Sequence, residues 1–268
     1  MNWNVRPKPV LKWAGGKQIL AEELVGRFPS RYSTFYEPFV GGASVLLQAD
    51  PERAVVGDLN PWLVDTYRAI RRGWKKVAAV LDTLPNTKED YFRIRKIQPG
   101  ALNHVERAAH LIYLNKTCFR GLFRVNRRGE FNVPYGGYQR RYYDPDNLAA
   151  FAARLRRFDI RCQDFELTIA DARPGDFIYC DPPYYKYGGY SDFNRYTPSQ
   201  FRENDHLRLA ACCRELDERG IQWAVSNSNT RFIRCVYEGF RILECNNRRE
   251  INLNSQSRNI SELFITNF

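Results

Sequence analysis

The chain has 268 residues, 44% of them hydrophobic and 26% charged, and this composition excludes extensive disorder. Lysine and arginine outnumber aspartate and glutamate by 41 to 30, so the formal charge of +11 favours a polyanionic partner or an anionic membrane surface. Seven cysteines without a C-x-x-C pair and three histidines without ligand spacing predict reduced thiols and no metal site. The sequence has neither a signal-peptide pattern nor a membrane-spanning apolar run, so we expect a cytoplasmic protein that does not enter a membrane.

The first sixty residues predict the start of an open parallel sheet. Helical spacing of apolar residues indicates a helix over Lys17–Phe28, and a short strand over Thr34–Glu37 runs into a glycine-containing turn. A helix over 43–48 and a strand over 54–57 follow, and the strand ends at Asp58. This order of helix, strand, glycine turn, helix, strand and acid is typical of one nucleotide-binding half of a doubly wound sheet.

The middle of the chain is predicted to be mainly helical. Helical spacing indicates five helices, at 61–71, 75–84, 88–97, 105–115 and 148–157. Between the last two, Arg124–Val133 is typical of a β-hairpin, because turn residues separate Phe123 from Phe131.

The last hundred residues return to strand patterns. The predicted order is a strand at 176–180, a loop at 181–198, a helix at 199–219, and strands at 221–225, 241–245 and 263–266. We therefore predict an α/β fold with a Rossmann-like, doubly wound, mostly parallel sheet built from residues 1–60 and 159–268. Residues 61–158 form the predicted insertion, which is helical and contains the hairpin.

Basic charge is concentrated in the second half of this insertion. From Lys116 to Arg161 there are eleven basic and only four acidic residues, interleaved with phenylalanine and tyrosine. Arginine beside aromatic rings suits a nucleic-acid surface, because arginine binds phosphates and base edges and rings stack on base faces.

The turn after the first predicted strand, Glu37–Gly42, is a candidate ligand site. Adjacent glycines let a backbone approach a ligand closely, and Asp58 one strand later stands where an acid binds ribose hydroxyls. The spacing is not G-x-G-x-x-G, so we expect a ligand that bears a nucleoside but no pyrophosphate. An ordinary glycine turn is the alternative.

The segment around Lys17 resembles a phosphate loop only superficially. That pattern requires glycine where Leu11 stands and serine or threonine where Gln18 stands, so an NTPase is not expected. Lys17 remains a candidate point charge for a carboxylate or phosphate, and Trp13 is either a stacking ring or a core aromatic.

The sharpest signal is Asp181-Pro182-Pro183-Tyr184, directly after an apolar strand. Two prolines stiffen the chain and remove two N–H donors, so the Asp181 carboxylate and the Pro182 carbonyl are presented together beside a ring. Two acceptors can accept hydrogen bonds from both N–H groups of an exocyclic amino group, and a base can stack on the Tyr184 ring. A rigid turn without chemistry is the alternative.

Together these segments resemble the Dam-type (alpha-class) DNA adenine-N6 methyltransferases, which use S-adenosylmethionine. The resemblance covers nearly the whole chain. It rests on the segments Lys12–Lys17, Glu37–Gly42, Asp58–Asn60, Tyr113–Asn115, Gly129–Gly136, Asp181–Tyr184 and Ser261–Leu263.

The resemblance implies roles for individual residues. The implied catalytic residues are Asp181, Pro182 and Tyr184. The cofactor is bound by Trp13, Lys17, Glu37, Phe39, Gly41, Asp58, Asp164, Phe165 and Asp181. DNA is bound by Lys12, Phe119, Arg120, Leu122, Arg124, Asn126, Pro134, Tyr138, Arg140 and Arg141. Arg124 matches a family arginine that reads guanine, whereas Arg120 and Gln139 depart from the family pattern.

The implied function is transfer of a methyl group from S-adenosylmethionine to adenine N6 in double-stranded DNA. The base is flipped out of the duplex, the recognition site is GATC-like, the enzyme is a monomer, and a restriction endonuclease is a candidate partner. The same residues are compatible with a methyltransferase acting on cytosine N4, RNA adenine or a protein amide. A DNA-binding homologue without catalysis is the non-enzymatic alternative.

Overall fold

A seven-stranded sheet organises the residues that the computed structural model describes, which are 6–13, 15–126, 128–185, 201–248 and 259–268. The strands are β1 (Phe35–Glu37), β2 (Ala54–Gly57), β3 (Phe158–Arg161), β4 (Phe177–Cys180), β5 (Gln222–Ser228), β6 (Arg241–Arg248) and β7 (Asn259–Thr266). Their order is β3-β2-β1-β4-β5-β7-β6; β1 to β5 are parallel, and β7 runs antiparallel to both β5 and β6. The predicted mostly parallel α/β sheet is confirmed.

Nine α-helices lie in the described part of the chain. They are α1 (Ala21–Val25), α2 (Ser44–Ala49), α3 (Pro61–Asp82), α4 (Lys88–Arg95), α5 (His104–Thr117), α6 (Pro145–Leu155), α7 (Phe165–Ile169), α8 (Glu203–Glu218) and α9 (Arg231–Val236). The predicted helices lie within a few residues of these bounds, except that two of them join in α3, where Gly73 alone departs from helical dihedral angles. Most of the predicted loop over 181–198 lies outside the described residues.

Three short elements were not predicted from the sequence: β3, α7 and α9. Strand β3 has only four residues and α7 only five, too few for a periodic pattern to stand out. Helices α7 and α9 each begin at a side-chain cap. Asp164 accepts a hydrogen bond from the Glu166 amide at the start of α7, and Thr230 accepts one from the Ile233 amide at the start of α9.

Each face of the sheet is covered by helices. One face packs Phe35, Val56 and Phe177 in a cluster that includes buried residues of α3, α5 and α6 and of the hairpin region. The other face packs Ile178 and Trp223 with residues of α7, α8 and α9. Helices from residues 61–158 therefore share a core with the sheet, and the division of the chain at these residues stays a prediction.

Two features of the composition can be compared directly with the structure. All seven cysteines carry free thiols, as the spacing predicts. Among the described residues, no helix combines the length and apolar character needed to cross a membrane.

Asn115 ties the N-terminal segment to α5 and is fully buried. Its side chain accepts a hydrogen bond from the Lys12 amide (2.7 Å) and donates to the carbonyls of Lys12 (2.8 Å) and Gly121 (3.2 Å). We expect Asn115→Ala to lower the free energy of unfolding by about 2 kcal/mol, because partly buried backbone groups lose their partners.

Urea unfolding measures this effect, and Asn147 offers a matched control. Its side chain makes the same pair of bonds to the Lys8 amide (2.7 Å) and carbonyl (3.0 Å), but at the surface, where water can replace them. Asn147→Ala should therefore cost less than about 1 kcal/mol. Equal losses in the two variants would contradict the role of burial at Asn115.

Candidate active site

Three acidic residues lie at the carboxyl ends of neighbouring parallel strands. Glu37 ends β1, Asp58 directly follows β2, and Asp181 directly follows β4. The strand order reverses between β1 and β4, and ligands of open α/β sheets bind in the crevice at such a point. The topology thus brings together three of the predicted site residues.

The glycine turn after β1 is held in a conformation that requires glycine. Gly41 has φ of +43°, and a Cβ atom there would lie 2.8 Å from Cδ1 of Trp13. The Tyr67 hydroxyl donates to the Gly41 carbonyl (2.6 Å), and Oδ2 of Asp58 accepts from the Gly41 amide (3.2 Å). Trp13 itself stacks on Phe123, with ring centroids 5.0 Å apart. Trp13, Gly41 and Asp58 are therefore neighbours, as a shared pocket requires.

Asp58 is fixed by backbone donors from two directions. Oδ1 accepts from the Asn60 amide (2.8 Å) while Oδ2 accepts from Gly41. Burial raises the pKa of Asp58 to about 6, and the two backbone hydrogen bonds oppose that rise. The carboxyl group therefore changes charge in a mildly acidic range.

Glu37 is a buried acid, and only one of its two carboxylate oxygens is paired within the described residues. It is 3% exposed, and its Oε2 has no hydrogen-bond partner among the described residues. Burial, reinforced by the charge of Asp181, raises the pKa of Glu37 well above its ordinary value, although a hydrogen bond from the Leu46 amide opposes the rise. A buried acceptor of this kind commonly belongs to a ligand site.

The half-buried Asp181 and Tyr184 belong to one polar network with the buried Lys17. Lys17 Nζ lies 3.0 Å from Oδ1 of Asp181 and 4.4 Å from the centroid of the Tyr184 ring. Burial raises the pKa of Asp181, and the Lys17 ammonium opposes that rise. Pro182, which lies between Asp181 and Tyr184 in the sequence, is buried. Lys17 thus contacts both ends of the Asp-Pro-Pro-Tyr segment.

Glu262 completes this network, and sequence reasoning assigned it no role. Its Oε2 accepts a hydrogen bond from the Tyr184 hydroxyl (3.0 Å) and lies 3.8 Å from Lys17 Nζ. The signal available in the sequence was an acid that directly precedes the apolar run Leu263–Ile265. A buried acid in an apolar strand usually has a specific partner.

An aromatic cluster lies beside the acidic crevice. The rings of Phe39 and Phe165 stack with centroids 5.4 Å apart, and the Phe201 ring meets Phe39 edge-on at 5.7 Å. Asp164 precedes Phe165 and is held by Arg208, whose Nη2 lies 2.9 Å from Oδ1 of Asp164. Phe165 is buried in this cluster, whereas Phe39 is half-buried, so the cluster offers the Phe39 ring beside a fixed carboxylate, which suits a purine ring.

The predicted DNA-binding residues gather around Tyr138. The Lys12 ammonium and the Arg140 guanidinium lie 5.6 Å and 5.4 Å from its ring centroid, and its hydroxyl accepts from the Arg120 amide (3.0 Å). Phe119 is 45% exposed beside them, and its ring lies under the Arg120 guanidinium at 5.1 Å. This side of the protein combines cations with accessible rings.

The hairpin is present, and Val125 and Phe131 form an antiparallel bridge in it. Arg124 is half-buried at its base, where its Nε donates to Oδ1 of Asn132 (2.7 Å) and its Nη2 to the Asn132 carbonyl (3.2 Å). Sequence reasoning assigned no role to Asn132. Asn126 closes the turn, because its Oδ1 accepts from the Glu130 amide (3.0 Å) and its Nδ2 donates to the Glu130 carboxylate (2.7 Å).

The remaining predicted DNA-binding residues lie around these two groups. Leu122 is half-buried, and Pro134 is exposed while its carbonyl accepts from the Phe119 amide (2.8 Å). Arg141 is exposed, with its guanidinium 5.0 Å from the Tyr143 ring centroid and 3.9 Å from Asp82.

A mostly parallel sheet with acidic strand ends at its switch point and Asp-Pro-Pro-Tyr after β4 places the chain in the class of Rossmann-like methyltransferases. Residues 13–251 match the family of D12 class N6 adenine-specific DNA methyltransferases. The chain belongs to this family and is an adenine-specific DNA methyltransferase, which confirms the resemblance found in the sequence.

Named relatives agree with this assignment. The chain is 35% identical to type II methyltransferase M.MjaIII of Methanocaldococcus jannaschii, over 97% of this chain and 99% of the relative. It is 33% identical to type II methyltransferase M1.LlaDCHI of Lactococcus lactis subsp. cremoris, over 97% and 95%. It is 32% identical to a DNA adenine methylase of Haemophilus influenzae, over 95% and 91%.

Proposed function

We propose that this enzyme takes the methyl group from S-adenosylmethionine and transfers it to adenine N6 in double-stranded DNA at a short, GATC-like site. The adenine is flipped out of the duplex for the reaction. The observation that carries the proposal is the grouping of three buried or half-buried carboxylates, those of Glu37, Asp58 and Asp181, around the switch point of the sheet.

The donor set of the crevice fits this cofactor. A sulfonium and an α-ammonium carry positive charge, and the crevice presents three acids, of which Asp181 is paired with the buried Lys17. Asp58 is placed for the ribose hydroxyls, and Glu37 offers an acceptor to the ammonium or a hydroxyl. The half-buried Phe39, backed by the buried Phe165 ring, supplies an apolar surface for the adenine ring of the cofactor. When bound, the cofactor supplies an electrophilic methyl group.

Adenine N6 is a weak nucleophile because its lone pair is delocalised into the ring. The Asp-Pro-Pro-Tyr segment makes this nitrogen more nucleophilic. The Asp181 carboxylate and the Pro182 carbonyl accept hydrogen bonds from the two N–H groups, which favours tetrahedral character at the nitrogen. As the N–CH3 bond forms the S–CH3 bond breaks, S-adenosylhomocysteine leaves, and the methylated nitrogen releases one of its two protons. Fixed acceptors that face a developing dipole lower the barrier without reorganisation, and positioning aligns N6 with the methyl group. The target is inaccessible inside a duplex, so flipping places the base against the Tyr184 ring.

Isotope transfer tests the proposal directly. Purified enzyme, methyl-labelled S-adenosylmethionine and unmethylated DNA should yield label in N6-methyladenine, and sequencing of DNA from expressing cells should map it to one short motif. Label in N4-methylcytosine, or label in RNA alone, would favour the alternative amino-methyltransferases. An absence of label with intact DNA binding would favour a silent homologue.

The ribose role of Asp58 makes a pH-dependent prediction. The carboxylate accepts hydrogen bonds from ribose hydroxyls better than the protonated acid, so cofactor affinity should rise with pH through about 6, the pKa of Asp58. Asp58→Asn should weaken cofactor binding about tenfold at pH 7 and remove that rise. Calorimetric titration across this pH range checks both. An unchanged affinity would leave Asp58 with its structural bonds to Gly41 and Asn60 only.

The proposed setting of the enzyme follows from its substrate and relatives. We place it in the cytoplasm, acting as a monomer on double-stranded DNA. Two relatives are named type II methyltransferases, which supports a restriction endonuclease of the same specificity as a partner.

A further inference from the structure

Glu262 stands where an apolar residue would pack with less cost. It lies on β7, opposite Ser228 of β5 and Cys245 of β6, and it is only 5% exposed. Leu263, Phe264 and Ile265, the residues that follow it, are all buried and apolar. A buried carboxylate loses free energy of hydration, so it persists only with specific partners.

Its partners are Tyr184, on whose ring the target adenine is proposed to stack, and Lys17, the counter-ion of Asp181. The Tyr184 hydroxyl donates to Oε2 of Glu262 (3.0 Å), and Lys17 Nζ lies 3.8 Å from the same atom. Burial and the nearby carboxylates of Asp181 and Glu262 raise the pKa of Tyr184, so the phenol keeps its proton and acts as the donor.

The hydrogen bond fixes a ring whose backbone is already stiff. Pro182 and Pro183 restrict the chain before Tyr184, but they leave its side-chain torsions free to rotate. The bond to Glu262 joins the end of that ring to β7, which is paired on both sides, with β5 and with β6. A base stacked on Tyr184 would therefore meet a plane of defined orientation.

Lys17 lies between the carboxylates of Asp181 and Glu262, for which we propose different roles. Its ammonium is 3.0 Å from Oδ1 of Asp181 and 3.8 Å from Oε2 of Glu262. Asp181 is the proposed acceptor for the adenine amino group, and Lys17 competes for the same oxygen. A second carboxylate within reach lets Lys17 keep a counter-ion when Asp181 engages the base.

We infer that Glu262 is a positioning residue of methyl transfer, which orients the Tyr184 ring and shares Lys17 with Asp181. The inference rests on the proposed function of the site. It assigns a role to the segment Ser261–Leu263. This segment is one of those that resemble the family, but the sequence alone indicated no function for it.

The test compares Glu262→Gln, Tyr184→Phe and the double variant in single-turnover methylation of a duplex that carries the site mapped for the wild type. Each single variant removes the charge or the hydroxyl at one end of the same bond, so the test does not depend on one variant folding. Thr266→Val is the matched control, because Thr266 is buried on the same strand and its hydroxyl donates to the Trp223 carbonyl (2.9 Å), away from the network. Duplex with 2-aminopurine at the target position reports the environment of the flipped base.

We expect Glu262→Gln to lower the single-turnover rate about tenfold or more while cofactor affinity stays near the wild-type value. The double variant should be no slower than the slower single variant, since residues that act through one bond are not additive. The 2-aminopurine signal should change in Glu262→Gln and Tyr184→Phe but not in Thr266→Val.

Three results would overturn the inference: a wild-type rate for Glu262→Gln, multiplying effects in the double variant, or an equal rate loss in Thr266→Val. A wild-type enzyme that methylates no adenine N6 would instead remove the proposed function, and the inference with it. An active wild type together with an unaffected Glu262→Gln removes the inference alone.

Discussion

Asp181→Ala is expected to lower the rate of methyl transfer by about 10²–10³-fold, the usual effect of removing one fixed group that stabilises a transition state. The carboxylate is held at the end of β4 by its ion pair with Lys17 (3.0 Å), so its geometry is set before substrate arrives. Alanine removes one of the two proposed acceptors for the amino group and leaves the Pro182 carbonyl. Single-turnover assays at saturating cofactor and DNA measure the chemical step without product release.

Asp176 provides the control for this substitution. It is buried, directly precedes the same strand at its opposite end, and accepts a hydrogen bond from the Arg173 amide (2.9 Å). Asp176→Ala should therefore lower stability without lowering the transfer rate of the folded protein. Asp181→Ala activity within a few-fold of wild type would remove Asp181 from the chemistry and leave it as the counter-ion of Lys17.

The acidic crevice was predictable because its geometry follows from local rules. Glu37, Asp58 and Asp181 each end or directly follow a short apolar strand, and the carboxyl ends of parallel strands meet at one edge of a sheet. Strand position and parallel pairing put the three acids at the same edge, and the strand order β2-β1-β4 makes them neighbours. No knowledge of side-chain packing was needed.

The partners of these acids were not predictable in the same way. Glu262 reaches Tyr184 from 78 positions along the chain, because β7 inserts antiparallel between β5 and β6. A periodic pattern identifies such a strand but not its neighbours, and a different strand order would have placed Glu262 elsewhere. Lys17 was assigned to the cofactor pocket, but its ion pair with Asp181 depends on the same tertiary arrangement.

The hairpin shows the same limit at shorter range. The turn and the flanking Phe123 and Phe131 predicted its position, and the bridge between Val125 and Phe131 confirms it. The pattern did not reveal that Asn126 uses its amide to close the turn, or that Asn132 binds the side chain of Arg124. Both asparagines are polar residues in a basic segment, where direct binding of DNA is the simpler expectation.

Arg124 is the residue on which the proposed sequence specificity depends. Arginine reads guanine by a bidentate contact to O6 and N7, worth roughly 1–3 kcal/mol of discrimination. A bidentate contact requires a fixed guanidinium, and the two hydrogen bonds from Arg124 to Asn132 (2.7 and 3.2 Å) hold it at the base of the hairpin. Arg140, by contrast, is exposed against the Tyr138 ring, as suits a phosphate contact.

Arg124→Ala is therefore expected to relax specificity at one guanine of the site, so that motifs differing at that position are methylated about 10- to 100-fold more efficiently relative to the site. Arg124→Lys keeps the charge but loses the planar fork, and it should relax specificity nearly as much. Sequencing-based profiles of methylated adenines for the wild type and both variants measure this directly.

Arg140→Ala separates readout from attraction to the backbone. It should weaken binding to all sequences alike and reduce the dependence of log affinity on log salt concentration by about one, because one phosphate contact is lost. Its methylation profile should keep the wild-type motif. If Arg124→Ala instead keeps that motif with uniformly lower yield and the same reduced salt dependence, Arg124 is a phosphate contact too. The base readout then belongs to another residue of the surface around Tyr138.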